Sequence, residues 1–113
     1  MKLDKTKIDE LKAGWPDGIF EGEIAFTDGE DVSRTVEFVY RRPNMADIES
    51  HAKSSGRNGV AANLNLLQSL IVHPEPGPVI EAIRDFPMAV NKFVEEAVVP
   101  FFGANVAVRK RRL

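Results

Sequence analysis

Two alternating runs joined by an Asp-Gly turn constrain this chain more than any other feature. From Ile19 to Thr27, Phe20, Gly22, Ile24 and Phe26 fall on one side, while Glu21, Glu23, Ala25 and Thr27 fall on the other. From Val32 to Arg41, Val36, Phe38 and Tyr40 share a side with Val32, and Ser33, Thr35, Glu37, Val39 and Arg41 share the opposite one. A period of two is the strand period. Two such runs around Asp28-Gly29 predict an antiparallel hairpin with one buried and one solvated face. The hairpin ends at Arg41-Arg42-Pro43, and a proline has no amide hydrogen with which to continue a central ladder. Arg41 and Arg42 should point to opposite sides, one solvated and one laid along the helices with its stem packed. This corner reads as a joint and not as a chemical site.

The rest of the chain has helical spacing. Leu3, Ile8 and Leu11 give a weak amphipathic helix before the hairpin, stopped at Gly14 by the loop Gly14–Gly18, with Trp15 closing an edge of the core. After Pro43, Asn44 can cap a helix with Asp47 at its third position and Met45, Ile48 and Ala52 inward. Lys53–Gly59 breaks that helix. Val60, Leu64, Leu67 and Ile71 form the stripe of a second, which His73–Pro78 stops. Val79, Ile80 and Ile83 suggest a short third helix ending near Phe86. Pro87 opens a fourth, with Val90, Phe93, Val94, Ala97, Val98 and Phe101 inward and Gly103 ending it. Strands precede most helices and the two kinds are segregated. The predicted class is therefore α+β: an antiparallel hairpin or small sheet followed by about four helices, a single domain over 1–103, and a basic tail over 104–113.

Composition narrows the chemistry. The 113 residues are 43% hydrophobic and 28% charged, which suits one folded domain with a thin core. Cysteine is absent, so disulfides and thiolate chemistry are excluded. No apolar run approaches the roughly 20 residues of a membrane span, and the charged N-terminal stretch lacks the apolar centre of a signal peptide. The expectation is a soluble protein of the cytoplasm with no membrane partner. Arg109, Lys110, Arg111 and Arg112 supply four of the fifteen Lys and Arg, so the remaining charge is 11 − 17 = −6. An acidic body with a short basic tail does not favour nucleic acid as the partner, because duplex binding is dominated by phosphate neutralisation.

No constellation for catalysis stands out. His51 and His73 are isolated from metal-ligand spacing. Ser33, Ser50, Ser54, Ser55 and Ser69 lack a nucleophile frame. Glu21, Glu23 and Glu37 read as a wetted strand face, not as a tuned acid pair. Ser54–Gly59 has no phosphate-loop frame. No catalytic, cofactor or metal residue is assigned, and the reading is of a protein that is not an enzyme. The tail "VRKRRL" leaves three possibilities open: nucleic acid contact, docking on an acidic partner surface, or a solvated terminus.

The hairpin ending "VEFVYRRPNMADI", the leucine-rich "NLNLLQSLIVHPEP" and the closing "FPMAVNKFVEEAVVPFFG" occur in an order that resembles the small tail assembly chaperones of long-tailed bacteriophages and related prophages. The resemblance spans residues 15 to 103 and rests on element order and hydrophobic spacing, not on a catalytic signature. It implies a non-catalytic role in the bacterial host cytoplasm: coating the tape-measure protein, keeping it soluble and helping to recruit the tail-tube protein. A holdase for a long helical client needs an apolar groove with a charged rim. The expected groove lies between the Val60–Ile71 and Val90–Phe101 helices, with Leu64, Leu67, Phe93, Phe101 and Phe102 as wall residues and Arg109, Lys110, Arg111 and Arg112 as further partner contacts. The alternatives are another small phage structural or tail-completion protein, or a nucleic-acid-binding regulator that uses the basic tail. Exposed hairpin edges would also permit self-association.

Overall fold

The computed structural model describes residues 1–103 and 107–112; of the tail assigned to 104–113, residues 104–106 and 113 lie outside the described residues. The fold is α+β. Helix α1 (Lys5–Gly14) leads into strands β1 (Ile19–Thr27) and β2 (Ser33–Arg41). Helices α2 (Met45–Ser55) and α3 (Gly59–Leu70) follow, then a short strand β3 (Ile71–His73) and helices α4 (Pro76–Ile83) and α5 (Pro87–Phe93). The sheet order is β1-β2-β3, antiparallel throughout.

The expected hairpin forms, in a register that runs from Ile19 opposite Arg41 to Thr27 opposite Ser33. Its loop is organised by Asp28 and not by the glycine. The Asp28 carboxylate accepts the Glu30 and Val32 amides at 2.9 and 3.1 Å and the Arg34 Nε–H at 2.8 Å. The left-handed residue is Asp31, at φ 60°, not Gly29. An aspartate tolerates that conformation better than most residues, because its short side chain bonds locally.

The inner face of the sheet carries Ile24, Phe38 and Tyr40 onto helices α3, α4 and α5 and the turn that follows α5, where Leu67, Leu70, Ile83, Val90, Val94 and Val98 are fully buried. Gly22 is required here. A Cβ on it would lie 2.7 Å from the Phe38 ring and 3.0 Å from the Phe93 ring. The outer face is not simply solvated: Val39, which points outward, is only 3% exposed. The Met1 amino group reaches Glu37 and Glu21 at 2.8 and 3.2 Å, so the N-terminal segment crosses that face.

Five further expectations change. His73–Pro78 does not simply stop a helix. Ile71–His73 turns away as a strand and pairs with β2, and Pro76 opens α4 from its first turn, where its missing amide costs nothing. The α3 stripe is rotated: Ala62, Leu66, Leu67 and Leu70 are buried, while Val60 is exposed and Ile71 belongs to β3. In α2, Met45 and Ala52 are exposed and no residue is fully buried. Polar anchors set the roll of that helix, turning Asp47 and His51 inward. Trp15 is 41% exposed and serves as a platform, with the Arg41 guanidinium 5.5 Å from its ring centre. The closing helix also loosens after α5, into a π turn over Val94–Val98 and a 3₁₀ turn over Val99–Phe102, ended by Gly103 at φ 81°. Pro100 accounts for the loosening, since it lacks an amide and its ring clashes with a carbonyl one turn back.

Candidate binding groove

The Arg-Arg-Pro corner is a joint, as its sequence suggests. Arg41 donates to both Asp47 carboxylate oxygens, at 2.7 and 2.9 Å, and to the Ser69 carbonyl at 3.1 Å. Asp47 also accepts the Asn44 amide at 2.8 Å, and Asn44 returns the bond to the Asp47 amide at 3.0 Å. This reciprocal box starts α2 and locks it to the strand. The Asp47 carboxyl is held below its usual value, chiefly by the Arg41 hydrogen bonds and further by the Asn44 amide. Arg42 points the other way and lies over Phe101, 5.4 Å from the ring centre.

The seam between α3 and the closing helix is shut. Val90, Val94 and Val98 fill it together with Leu67. Its polar end is tied by a relay in which His51 Nε2–H donates to Asn63 Oδ1 at 2.8 Å and Asn63 Nδ2 donates to Asn91 Oδ1 at 2.9 Å. Leu67 is therefore core and not a groove wall, and Leu64 is half-buried against the same core. Phe101 stacks on Phe20 at 5.1 Å, and Phe102 sits 6.2 Å from the His51 ring. Both are half-buried. Arg109, Lys110, Arg111 and Arg112 are exposed and belong to no helix or strand.

An open groove lies on the other side of the closing helix. It has a volume of about 780 Å³ and runs between the Glu23–Thr27 half of β1 and the stretch from Asp85 to Ala97. Phe26 and Phe86 form its floor, with ring centres 4.7 Å apart, and Arg34 caps Phe86 at 5.7 Å. Met88 stands on its wall and is 80% exposed. Phe93 closes one end, edge-on to Phe38 and Tyr40 at 5.2 and 5.5 Å. Of the residues expected to line a groove, only Phe93 lines this one. Its rim carries Glu23, Asp85, Glu96 and Lys92, with Lys92 reaching Glu96 at 3.4 Å, while the Arg34 over Phe86 is held by Asp28 at 2.8 Å.

Sequence reasoning missed this groove because it placed Phe86 as a helix end and Phe26 as plain core. The available signal was the cluster Phe86-Pro87-Met88. A proline at the first helical turn marks the helix start, which leaves Phe86 outside the helix and its apolar stripe.

The groove borders an unpaired strand edge, since β1 has only β2 as a neighbour among the described residues. The bonds at the two ends of the hairpin, Asp28 N–H to the Val32 carbonyl and Arg42 N–H to the Gly18 carbonyl, fix the parity of the ladder. Even-numbered residues of β1 bond β2. Glu21, Glu23, Ala25 and Thr27 thus direct their amides and carbonyls outward.

No family model and no curated protein matches this chain. Among solved structures it is similar to that of an uncharacterised protein, RBSTP2171, from Bacillus stearothermophilus, with a TM-score of 0.66 and 24% identity over 92% of this chain and 99% of that one. At that identity the likeness is one of fold.

Proposed function

We propose that this chain is a non-catalytic assembly chaperone that holds an amphipathic client segment in the groove between β1 and α5. The observation that carries this reading is the groove itself: an apolar floor of Phe26 and Phe86 with Met88 on its wall, bounded by charged side chains. An amphipathic helix docks in such a groove by apolar anchors at i, i+3, i+4 and i+7. The groove sets Met88 beside the Phe26–Phe86 pair, so its apolar side chains are neighbours and not singly scattered. On the sequence resemblance to phage tail assembly chaperones, the proposed client is a tape-measure protein, with the tail-tube protein as second partner and the host cytoplasm as the place of action. No helix among the described residues is long and apolar enough to cross a membrane.

The test is co-expression of the tagged chain with the long helical protein encoded beside it. Co-elution of a soluble long protein supports the reading. Elution of this chain alone, with the long protein insoluble, overturns it.

A further inference from the structure

We propose that the basic tail of a second copy adds as an antiparallel strand to the free edge of β1, alongside the groove. Four observations combine. The edge presents outward amides and carbonyls from Glu21 to Thr27. The described tail, Ala107–Arg112, is exposed, and among the described residues it lines none of the groove of its own chain. Six extended residues span about 20 Å, which matches Glu21–Thr27. The charges also match in number and side. An extended tail places Arg109 and Arg111 on one face and Lys110 and Arg112 on the other. Glu21 and Glu23 project from the outer face of β1, and Asp85 and Glu96 stand across the groove on the inner side. Two of these acids already have a cation nearby: Glu21 meets the Met1 amino group at 3.2 Å and Glu96 meets Lys92 at 3.4 Å, both at exposed positions.

For the antiparallel sense, which every pair of this sheet has, the reach of the chain selects a second copy. Phe101 packs on Phe20, so Gly103 leaves the domain at the start of β1. An antiparallel strand must enter from the Thr27 end, about 23 Å further along. The four steps from Gly103 to Ala107 cover at most about 14 Å. A chain's own tail cannot make that pairing, while a neighbour's can. The contact is heterologous, with tail to edge, so it leaves one free tail and one free edge on each pair and propagates. A client entering the groove competes with the tail.

The experiment is sedimentation velocity on the full chain across concentration and salt. The average mass should rise with concentration at about 0.05 M salt and fall back at about 0.5 M, where such charge pairing is screened. A tail-reversed chain (Arg109→Glu, Lys110→Glu, Arg111→Glu, Arg112→Glu) should associate at least about tenfold more weakly, because like charges then face each other. An edge-reversed chain (Glu23→Lys, Asp85→Lys, Glu96→Lys) should do the same, and all three positions are exposed. Mixing the two reversed chains should restore association between them. A full chain that stays monomeric at all concentrations overturns the proposal. So does a tail-reversed chain that associates like the parent. A monomer whose unfolding midpoint shifts on tail reversal places the tail on its own chain and overturns it as well. None of these readouts involves a client, so their failure is distinct from failure of the chaperone reading.

Discussion

The corner at Arg41 and the groove at Phe86 use the same materials to opposite ends. Each sets aromatic rings beside charged side chains at the margin of the sheet. At the corner the Arg41 and Asp47 charges are answered from within: Arg41 by Asp47, the Ser69 carbonyl and the Trp15 ring, and Asp47 by Arg41 and the Asn44 amide. In the groove, Glu23, Asp85 and Glu96 face water around an open apolar floor. The corner's charges hold β2, α2 and α3 together. The groove's charges hold little of the fold, which leaves them for a partner.

If that division is right, removing a charge should be costly at the corner and nearly free at the groove. Asp47→Ala strands a guanidinium that is only 13% exposed and opens the cap of α2. The expected loss is about 3 kcal/mol, from a largely buried guanidinium left without its counter-ion, holding only the Ser69 carbonyl and the Trp15 face, together with a lost cap. Glu96→Ala should move stability by less than about 0.5 kcal/mol. Urea unfolding of both variants measures the gap, and equal midpoints would erase the distinction.

Between the two regions lies Gly22, where β1 passes closest to Phe38 and Phe93. Phe38 is fully buried, so its ring cannot yield. Gly22→Ala should cost about 1–3 kcal/mol through overpacking, less than the corner and more than the groove. A neutral or stabilising result in the same unfolding assay would show that the strand can move away from the closing helix.

Acid separates the regions more gently. Arg41 lowers the folded-state pKa of Asp47 below its ordinary 3.8. A depressed carboxyl pKa gives stability that is fully present well above 3.8 and is lost as pH falls through the folded value. Asp47→Asn lacks that contribution. The difference between the parent and this variant should be constant above about pH 5 and should close as the solution is taken below 3.8. A difference unchanged by acid would mean that hydrogen-bond shape, not charge, holds the corner.

Much of the frame was legible from local chemistry. Alternation fixed both strands of the hairpin, Asn44 and Asp47 announced their reciprocal cap, and Pro87 and Gly103 bracketed the closing stretch. What was not legible depended on tertiary partners. Strand β3 is three residues long and exists because the edge of β2 is there to receive it. The roll of α2 follows from Arg41, which lies outside that helix, so no stripe within it could show that Met45 faces water. The groove was hidden for the same reason. Its floor joins Phe26 and Phe86, sixty positions apart, and its position depends on which side of the closing helix α3 occupies.

The smallest expected change in stability is also the one most informative about binding. Met88 and Met45 are both exposed, at 80% and 67%, but only Met88 lines the groove. Neither Met88→Ser nor Met45→Ser should shift the unfolding midpoint by more than about 0.5 kcal/mol, because neither side chain supports the core. They should part company in the co-expression assay. A methionine on the wall of a docking groove adapts to its partner, and its loss removes apolar contact with the client. Met88→Ser should reduce co-elution of the long helical protein, while Met45→Ser should leave it unchanged. If both variants capture the client equally well, the client does not use the Phe26–Phe86 groove, and the exposed faces of α2 and of the tail become the surfaces to test.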